Sequence, residues 1–312
     1  DELIEFFKPE WNEIGSDSIH KRLEIVKRTH PSFDLLKVFT GINELSASIE
    51  KEAFILSHLL QPDFFCRIRP GFENEVLDNL SEKNKLFSFI PPATVAFNSR
   101  IDLEKLFTPD RELVVQDLSS QEVGSFFSLI KVPGMQVWDC CAGSGGKSIL
   151  AFDLLPDCKL TVSDKRDSIL INLIKRFRAA RIQQYISFTA DVSRMPIKSK
   201  TQFDLIIADV PCSGSGTWSR TPEQLISFDP QMITKYADLQ KQITGNILHN
   251  LKTGGYVLYV TCSVFEQENE QIVRHLSTQF PLTIIKHGII KGYDRKADTL
   301  YAALLRLDAT LK

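Results

Sequence analysis

The side chains with the greatest chemical capacity lie in two short stretches, Asp209-Val-Pro-Cys-Ser-Gly-Ser-Gly216 and Thr261-Cys-Ser263. Each follows an apolar run of the kind a buried parallel strand uses, Phe203 to Ala208 in the first case and Val257 to Val260 in the second. In an open α/β sheet, ligands collect just beyond the carboxyl ends of the strands. An acid and a thiol after one strand, and a second thiol after a later one, are therefore placed for nucleophilic and acid–base chemistry on a bound ligand. A single Cys at a strand end is more often inert packing. Two of them on neighbouring strands, able to face one cleft, are far less readily produced by chance.

A third strand end carries Asp139-Cys-Cys-Ala-Gly-Ser-Gly-Gly-Lys-Ser148. A strand, a glycine-rich turn and a helix start together make a nucleotide-type site, with backbone N–H groups aimed at the ligand. Two familiar loops fail here. The dinucleotide fingerprint needs Gly where Ser148 stands, and the phosphate loop needs Gly where Cys141 stands. What remains, an acid followed by Gly-x-Gly, resembles the cofactor loop of S-adenosylmethionine (SAM) methyltransferases. Thr161-Val-Ser-Asp164 places a carboxylate at the end of the next strand, where ribose hydroxyls are bound in dinucleotide folds, and Asp191 after the following strand suits the adenine edge. Each acid taken singly is more often a turn residue or helix cap. Their arrival at successive strand ends strengthens the SAM reading.

These loops need a scaffold, and the chain supplies a suitable rhythm. From about residue 111, strands and helices alternate: strands at Leu113–Val115, Gln136–Asp139, Lys159–Ser163, near Ile186, near Phe203 and at Gly255–Thr261, then two terminal strands near Leu282 and Tyr301. The helices between them are expected at Ser119–Ile130 with Ser119/Ser120 as cap, Lys147–Leu155, Ser168–Ala180, Gln231–Asn250 and Glu268–Thr278. Such alternation predicts a parallel sheet covered on both faces. Upstream, residues 1 to 62 read as helical, with amphipathic segments at Ile19–Val26 and Ile42–Leu60. Residues 63 to 110 read as a small α+β unit, with strands Phe64–Ile68, Leu86–Ile90 and Thr94–Phe97 and a helix Asn74–Leu80. Arg67 and Arg69 alternate on one face of its first strand, which suits either a phosphate-facing surface or an ordinary edge strand.

The 312 residues are 43% hydrophobic and 24% charged, values of an ordinary globular protein. No apolar run reaches the length needed to span a bilayer, and the acidic start Asp1-Glu-Leu-Ile-Glu5 is unlike a secretory signal. The six cysteines form no metal-ligand spacing and no paired framework, so neither metal nor disulfides are expected. Free thiols fit a reducing cytoplasm. A formal net charge of −2 gives no global support to nucleic-acid binding, which would have to use local patches.

Taken together, Gln116-Asp-Leu-Ser-Ser-Gln121, Pro133-Gly134, Asp139–Ser148, Asp164, Asp191, Asp209–Gly216 with Arg220 and Pro222-Glu223, and Thr261-Cys-Ser263 leading to Glu268-Asn-Glu270 resemble the Sun/Fmu (RsmB-like) RNA cytosine-C5 methyltransferases. The pairing of Pro-Cys-Ser-Gly with Thr-Cys-Ser is the specific marker. The resemblance implies a seven-stranded Rossmann-like sheet over residues 111–312, SAM as cofactor and an RNA substrate, ribosomal before transfer RNA, in a cytoplasmic monomer. It assigns nucleophilic attack on cytosine C6 to Cys262, product release to Cys212 and contact with the base edge to Asp209. SAM would lie along Cys141, Ala142, Gly143, Ser144, Gly145, Gly146 and Lys147, with Asp164 on the ribose, Asp191 near adenine and Asp209 close by. Arg220, Lys175, Arg176, Arg178 and the Lys286–Lys296 segment are candidate RNA contacts. The sequence departs from the family at Gly143-Ser144, where Ala-Pro is usual, and at Asp298-Thr-Leu-Tyr301, where Asp-Gly-Phe-Phe is common. The rival reading is a non-catalytic SAM- or RNA-binding assembly factor on the same fold, for which a retained pair of thiols would have no use.

Overall fold

The computed structural model describes residues 19–39, 41–83, 85–98, 101–130, 132–194, 196–197 and 201–310; the helical expectation for residues 1–18 lies outside them. Strands run β1 (Phe64–Ile68), β2 (Ser88–Ile90), β3 (Thr94–Phe97), β4 (Leu113–Val115), β5 (Gln136–Asp139), β6 (Lys159–Asp164), β7 (Tyr185–Thr189), β8 (Phe203–Asp209), β9 (Leu251–Thr261), β10 (Leu282–Ile290) and β11 (Leu300–Leu307). The helices are α1 (Ile19–Thr29), α2 (Lys51–Ser57), α3 (Glu73–Glu82), α4 (Leu118–Glu122), α5 (Gly124–Phe127), α6 (Gly146–Leu154), α7 (Asp167–Ala179), α8 (Gln224–Ser227), α9 (Gln231–Leu248) and α10 (Glu270–Gln279).

The large sheet has the order β10-β11-β9-β8-β5-β6-β7. Strands β5 to β9 pair in parallel, and β11 joins β9 and β10 antiparallel. Successive residues on the central strands face opposite cores, as a sheet covered on both sides requires. Val137, Leu205, Ile207, Leu258 and Val260 enter the core under α5, α6 and α7. Trp138, Ile206, Ala208, Val257 and Tyr259 enter the core under α9 and α10. The chain leaves β5 toward β6 on one side and later returns to place β8 on the other, so the strand order reverses between β5 and β8. That crevice is where open α/β sheets bind ligands.

A four-stranded antiparallel sheet, β2-β3-β1-β4, stands beside it and draws β4 from beyond residue 110. Helix α3 covers one face through Val76 and Leu80 against Cys66, Ile68 and Val95. Arg67 and Arg69 do not present a phosphate-facing surface, nor an ordinary exposed edge. Both are buried, and their guanidinium groups converge on Asp153 of α6 at 2.7 and 2.6 Å. They bind the small sheet to the large one.

Two helical expectations are corrected. The segment 42–60 is not continuous helix: a 3₁₀ turn at Ile42–Glu44 is followed by a single bridge residue, Leu45, a turn over 47–48 and then the short α2. The break is tertiary, since Leu45 bridges Phe265 and Ser46 N–H donates to Val264 O at 2.8 Å. The helix expected from Ser119 to Ile130 starts at Leu118 and divides into α4 and α5. Its cap is Asp117, which accepts from Ser119 N, while the Ser119 hydroxyl is spent on Asp298 O. Among the described residues, no helix is long and apolar enough to cross a membrane.

Candidate active site

Above the carboxyl ends of β5, β6, β8 and β9 lies a cavity of about 400 Å³, bordered by Cys141, Gly143, Asp164, Asp191, Asp209, Cys212 and Cys262. Its first wall is the turn after β5. Cys140 N donates to Ile207 O and Ala142 N to Ser163 O, so the strand keeps its partners on both sides before turning. Gly145 then takes φ +87°, and a Cβ there would stand 3.0 Å from both Leu173 and Phe177 of α7. Both the backbone conformation and the packing of α7 therefore demand glycine. Of the residues expected along the cofactor, Cys141 and Gly143 reach the cavity. Ala142 and Gly145 are buried in the turn, Gly146 begins α6, and the Ser144 hydroxyl faces away to accept from Arg176 at 3.0 Å.

The acids at the next strand ends form the second wall. Asp164 Oδ2 accepts from Gly143 N at 3.0 Å, and its two oxygens accept a bidentate pair from Arg166. Burial opposes ionisation of Asp164, but Arg166 outweighs it and holds the carboxyl below the usual range. Asp191 accepts from both the backbone and hydroxyl of Ser193 and pairs with Arg194, which likewise favour its charged form. Val192, Leu239 and Ile243 add apolar surface between these acids and α9. Carboxylate acceptors and backbone at one end, with an apolar wall beside them, fit a nucleoside-type cofactor, and the volume lies within the roughly 300–1,000 Å³ of ligand pockets. Arg166, Ser193, Leu239 and Ile243 were not legible beforehand, because none sits in a motif.

The third wall carries the thiols. β8 and β9 are parallel neighbours with Asp209 opposite Val260, so the loops that follow emerge side by side. Cys212 Sγ and Cys262 Sγ are 3.2 Å apart, both half-buried. Gly216 makes this approach possible. Its N–H donates to Cys262 O, its carbonyl accepts from Thr299 N, and a Cβ there would meet Thr299 O at 1.8 Å. The Cys212 thiol is pushed well up, first by its hydrogen bond with Cys262, then by burial and by the charges of Cys262 and Glu268. Lys147 reaches from α6 to Asp209 Oδ2 at 2.7 Å. Burial disfavours the Lys147 cation, but the charges of Asp209, Cys262 and Asp139 more than restore it. Beneath, Asp139 is fully buried and accepts from the Ser148 hydroxyl at 2.6 Å, while its Oδ1 meets no donor among the described residues. Burial is the main reason its carboxyl is pushed up to about 7.

The candidate RNA contacts divide. Arg220 is committed to Asp298 and Asp117 at 2.7 and 2.8 Å, Arg176 to Asp110 and Arg295 to Glu122. Lys175 and Arg178 are exposed on α7. Among the described residues, no group of three or more His, Cys, Asp or Glu side chains converges as a metal site.

Residues 128–292 match the family model described as 16S rRNA methyltransferase RsmB/F. The chain is 33% identical over 183 residues to the ribosomal RNA small subunit methyltransferase B of Erwinia tasmaniensis, covering 56% of this chain and 41% of that protein. It is 28% identical over 257 residues to a probable ribosomal RNA small subunit methyltransferase B of Coxiella burnetii, covering 74% of this chain and 57% of that one. It thus spans about half the length of these relatives. The crystal structure of NSun6 from Pyrococcus horikoshii with SFG superposes with a TM-score of 0.72 at 13% identity, over 86% of this chain and 97% of that one. At that identity the likeness establishes the fold, a Rossmann-like methyltransferase sheet.

Proposed function

The chain belongs to the RsmB/F methyltransferase family, and from that premise we propose that it transfers a methyl group from SAM to C5 of a cytosine in ribosomal RNA, through a covalent bond between Cys262 and C6. The observation that carries this reading is the pair of thiols 3.2 Å apart on the edge of a cavity whose other walls bear Asp164, Asp191 and Asp209. Bound there, SAM supplies an electrophilic methyl group. Gly143 and the carboxylates of Asp164 and Asp191 would hold its amino-acid end, ribose and adenine.

Cytosine C5 is a weak nucleophile. Addition of the Cys262 thiolate to C6 makes it enamine-like, able to take the methyl group. Lys147 is paired with Asp209 at 2.7 Å and holds that carboxylate at the mouth of the site. Asp209, ion-paired with Lys147 yet lining the cavity, accepts from the cytosine N4 amino group. The C5 proton must then leave as the C6–S bond breaks. Cys212, 3.2 Å from Cys262, is the group assigned to this release step: its own proton passes to solvent, and the thiolate then takes the C5 proton directly or through water as Cys262 is expelled. The target base must be unpaired or flipped to expose C5 and C6.

Incubation of the protein with labelled SAM and total RNA, followed by 5-methylcytosine mapping, tests the reading. Methylation of a defined ribosomal cytosine is expected. SAM and RNA binding without transfer would instead establish the assembly-factor reading.

A further inference from the structure

One buried acid has no part in the chemistry above. Glu268 lies in the 3₁₀ turn Glu266–Glu268 that follows β9 and is wholly inaccessible. Among the described residues no basic side chain pairs with it, and its partners are neutral donors. Oε2 accepts from Ser213 N at 2.9 Å and from Gln240 Nε2 at 3.0 Å, and Oε1 accepts from the Ser263 hydroxyl at 2.8 Å. Ser213 directly follows Cys212, and Ser263 directly follows Cys262. Gln240 also donates to Pro211 O at 3.0 Å, on the other side of Cys212. The Tyr259 hydroxyl fixes Gln240 Oε1 and Glu268 O from below, at 3.0 and 2.6 Å.

Backbone bonds already fasten the two loops at their ends, from Val210 N to Val260 O and from Gly216 N to Cys262 O. Between these points the loops also touch through Ser263 Oγ, 3.2 and 3.3 Å from Ser213 Oγ and Ser215 Oγ, and through Val264 N, which donates to Ser215 Oγ. Glu268 is the group that gathers the residues following both thiols, Ser213 and Ser263, onto one carboxylate. A buried carboxylate without a counter-ion is costly, and burial raises its pKa against the pull of Ser213, Ser263 and Gln240. An apolar side chain of similar size would be cheaper to bury and would tie nothing to either loop.

We propose that Glu268 is a positioning residue that joins the two thiol-bearing loops and sets the separation of Cys212 and Cys262. The proposal rests on the reading of these thiols as nucleophile and release group. Both must reach one base, and misplacement by an ångström costs on the order of a hundredfold in rate.

The separation is measurable apart from methyl transfer. In glutathione buffers, the Cys212 and Cys262 thiols lose two protons and two electrons to oxidised glutathione, giving one intramolecular disulfide and two glutathione thiols. The equilibrium constant reports how well the two sulfurs are held together. For the full chain, Glu268→Ala is expected to lower this constant by about tenfold, a shift of about 30 mV, and to lower kcat at least as much with KM for SAM and RNA within about twofold. Glu268→Gln should restore most of both, because its carbonyl accepts from Ser213 and Gln240 while its amide donates to Ser263. If the Ala variant does not fold, Glu268→Asp serves. It keeps the acid but is one methylene too short to reach both loops, and it should lower both quantities. A Glu268→Ala protein with both quantities within twofold of wild type, or with only one of them reduced, overturns the proposal. Absence of methyl transfer by the wild-type protein would sink the functional reading, and the disulfide equilibrium alone would then decide whether Glu268 sets the spacing.

Discussion

The Lys147 ammonium lies 2.7 Å from Asp209 Oδ2, tying the start of α6 to the end of β8 across the point where the strand order reverses. The pair stands between the turn after β5 and the thiols, and Asp209 is the member that borders the cavity. Lys147→Met removes the cation that pairs with Asp209. Methyl transfer should fall at least tenfold, about 1.4 kcal/mol of barrier, with SAM affinity within about threefold of wild type. Single-turnover kinetics and calorimetric SAM titration check this. Lost SAM affinity with an intact rate would place Lys147 on the cofactor instead.

The two cysteines should separate in their variants. Cys262→Ala is expected to abolish methyl transfer, because no adduct forms at C6. Cys212→Ala should still form the adduct and release it slowly, leaving an RNA-linked species on a denaturing gel. The opposite pattern would reverse their roles.

Asp139 gives the protein a pH-dependent term. Its folded value is pushed up to about 7 by burial, whereas an unfolded Asp titrates near 3.9. Below about pH 4 both states hold the proton. Between about pH 4 and 7 only the folded state holds it, so stability falls as pH rises through this window and levels off above it. Asp139→Asn has no proton to lose. Its stability relative to wild type, read from urea midpoints, should therefore grow across that window by a few kcal/mol. Parallel curves would remove Asp139 as the titrating group.

Asp153 is the shared counter-ion of Arg67 and Arg69, with its side chain 3% exposed. Asp153→Ala leaves two buried guanidinium groups without a counter-charge and should cost roughly 3–5 kcal/mol of unfolding free energy. Denaturant unfolding measures this. Conversely, Arg69→Gln should leave the salt dependence of RNA binding unchanged; a reduced slope would return this arginine to the RNA surface.

Local pattern made most of the scaffold legible in advance. The strands before Asp139, Asp164, Asp209 and Cys262 are rich in apolar residues because each is buried on both faces, and they end on the acids and thiols that meet at the crevice. Strands β1, β3, β4 and β5 lie at their expected bounds, since short β-branched and aromatic runs bordered by turn residues leave little choice. Tertiary structure decided what depends on partners distant in the chain. Arg67 and Arg69 face inward because Asp153, more than eighty residues on, supplies a buried counter-charge. The segment near Leu45 is extended because Phe265 and Val264 claim its backbone. Ser144 turns from the cavity toward Arg176, and Glu268, which in the sequence is only one acid among several after Cys262, lies under both thiols. Periodicity and strand-end chemistry are encoded within a few residues, so the sequence alone determines them. Which buried charge meets which partner, and how far apart two sulfurs stand, is set only when separate strands pack side by side.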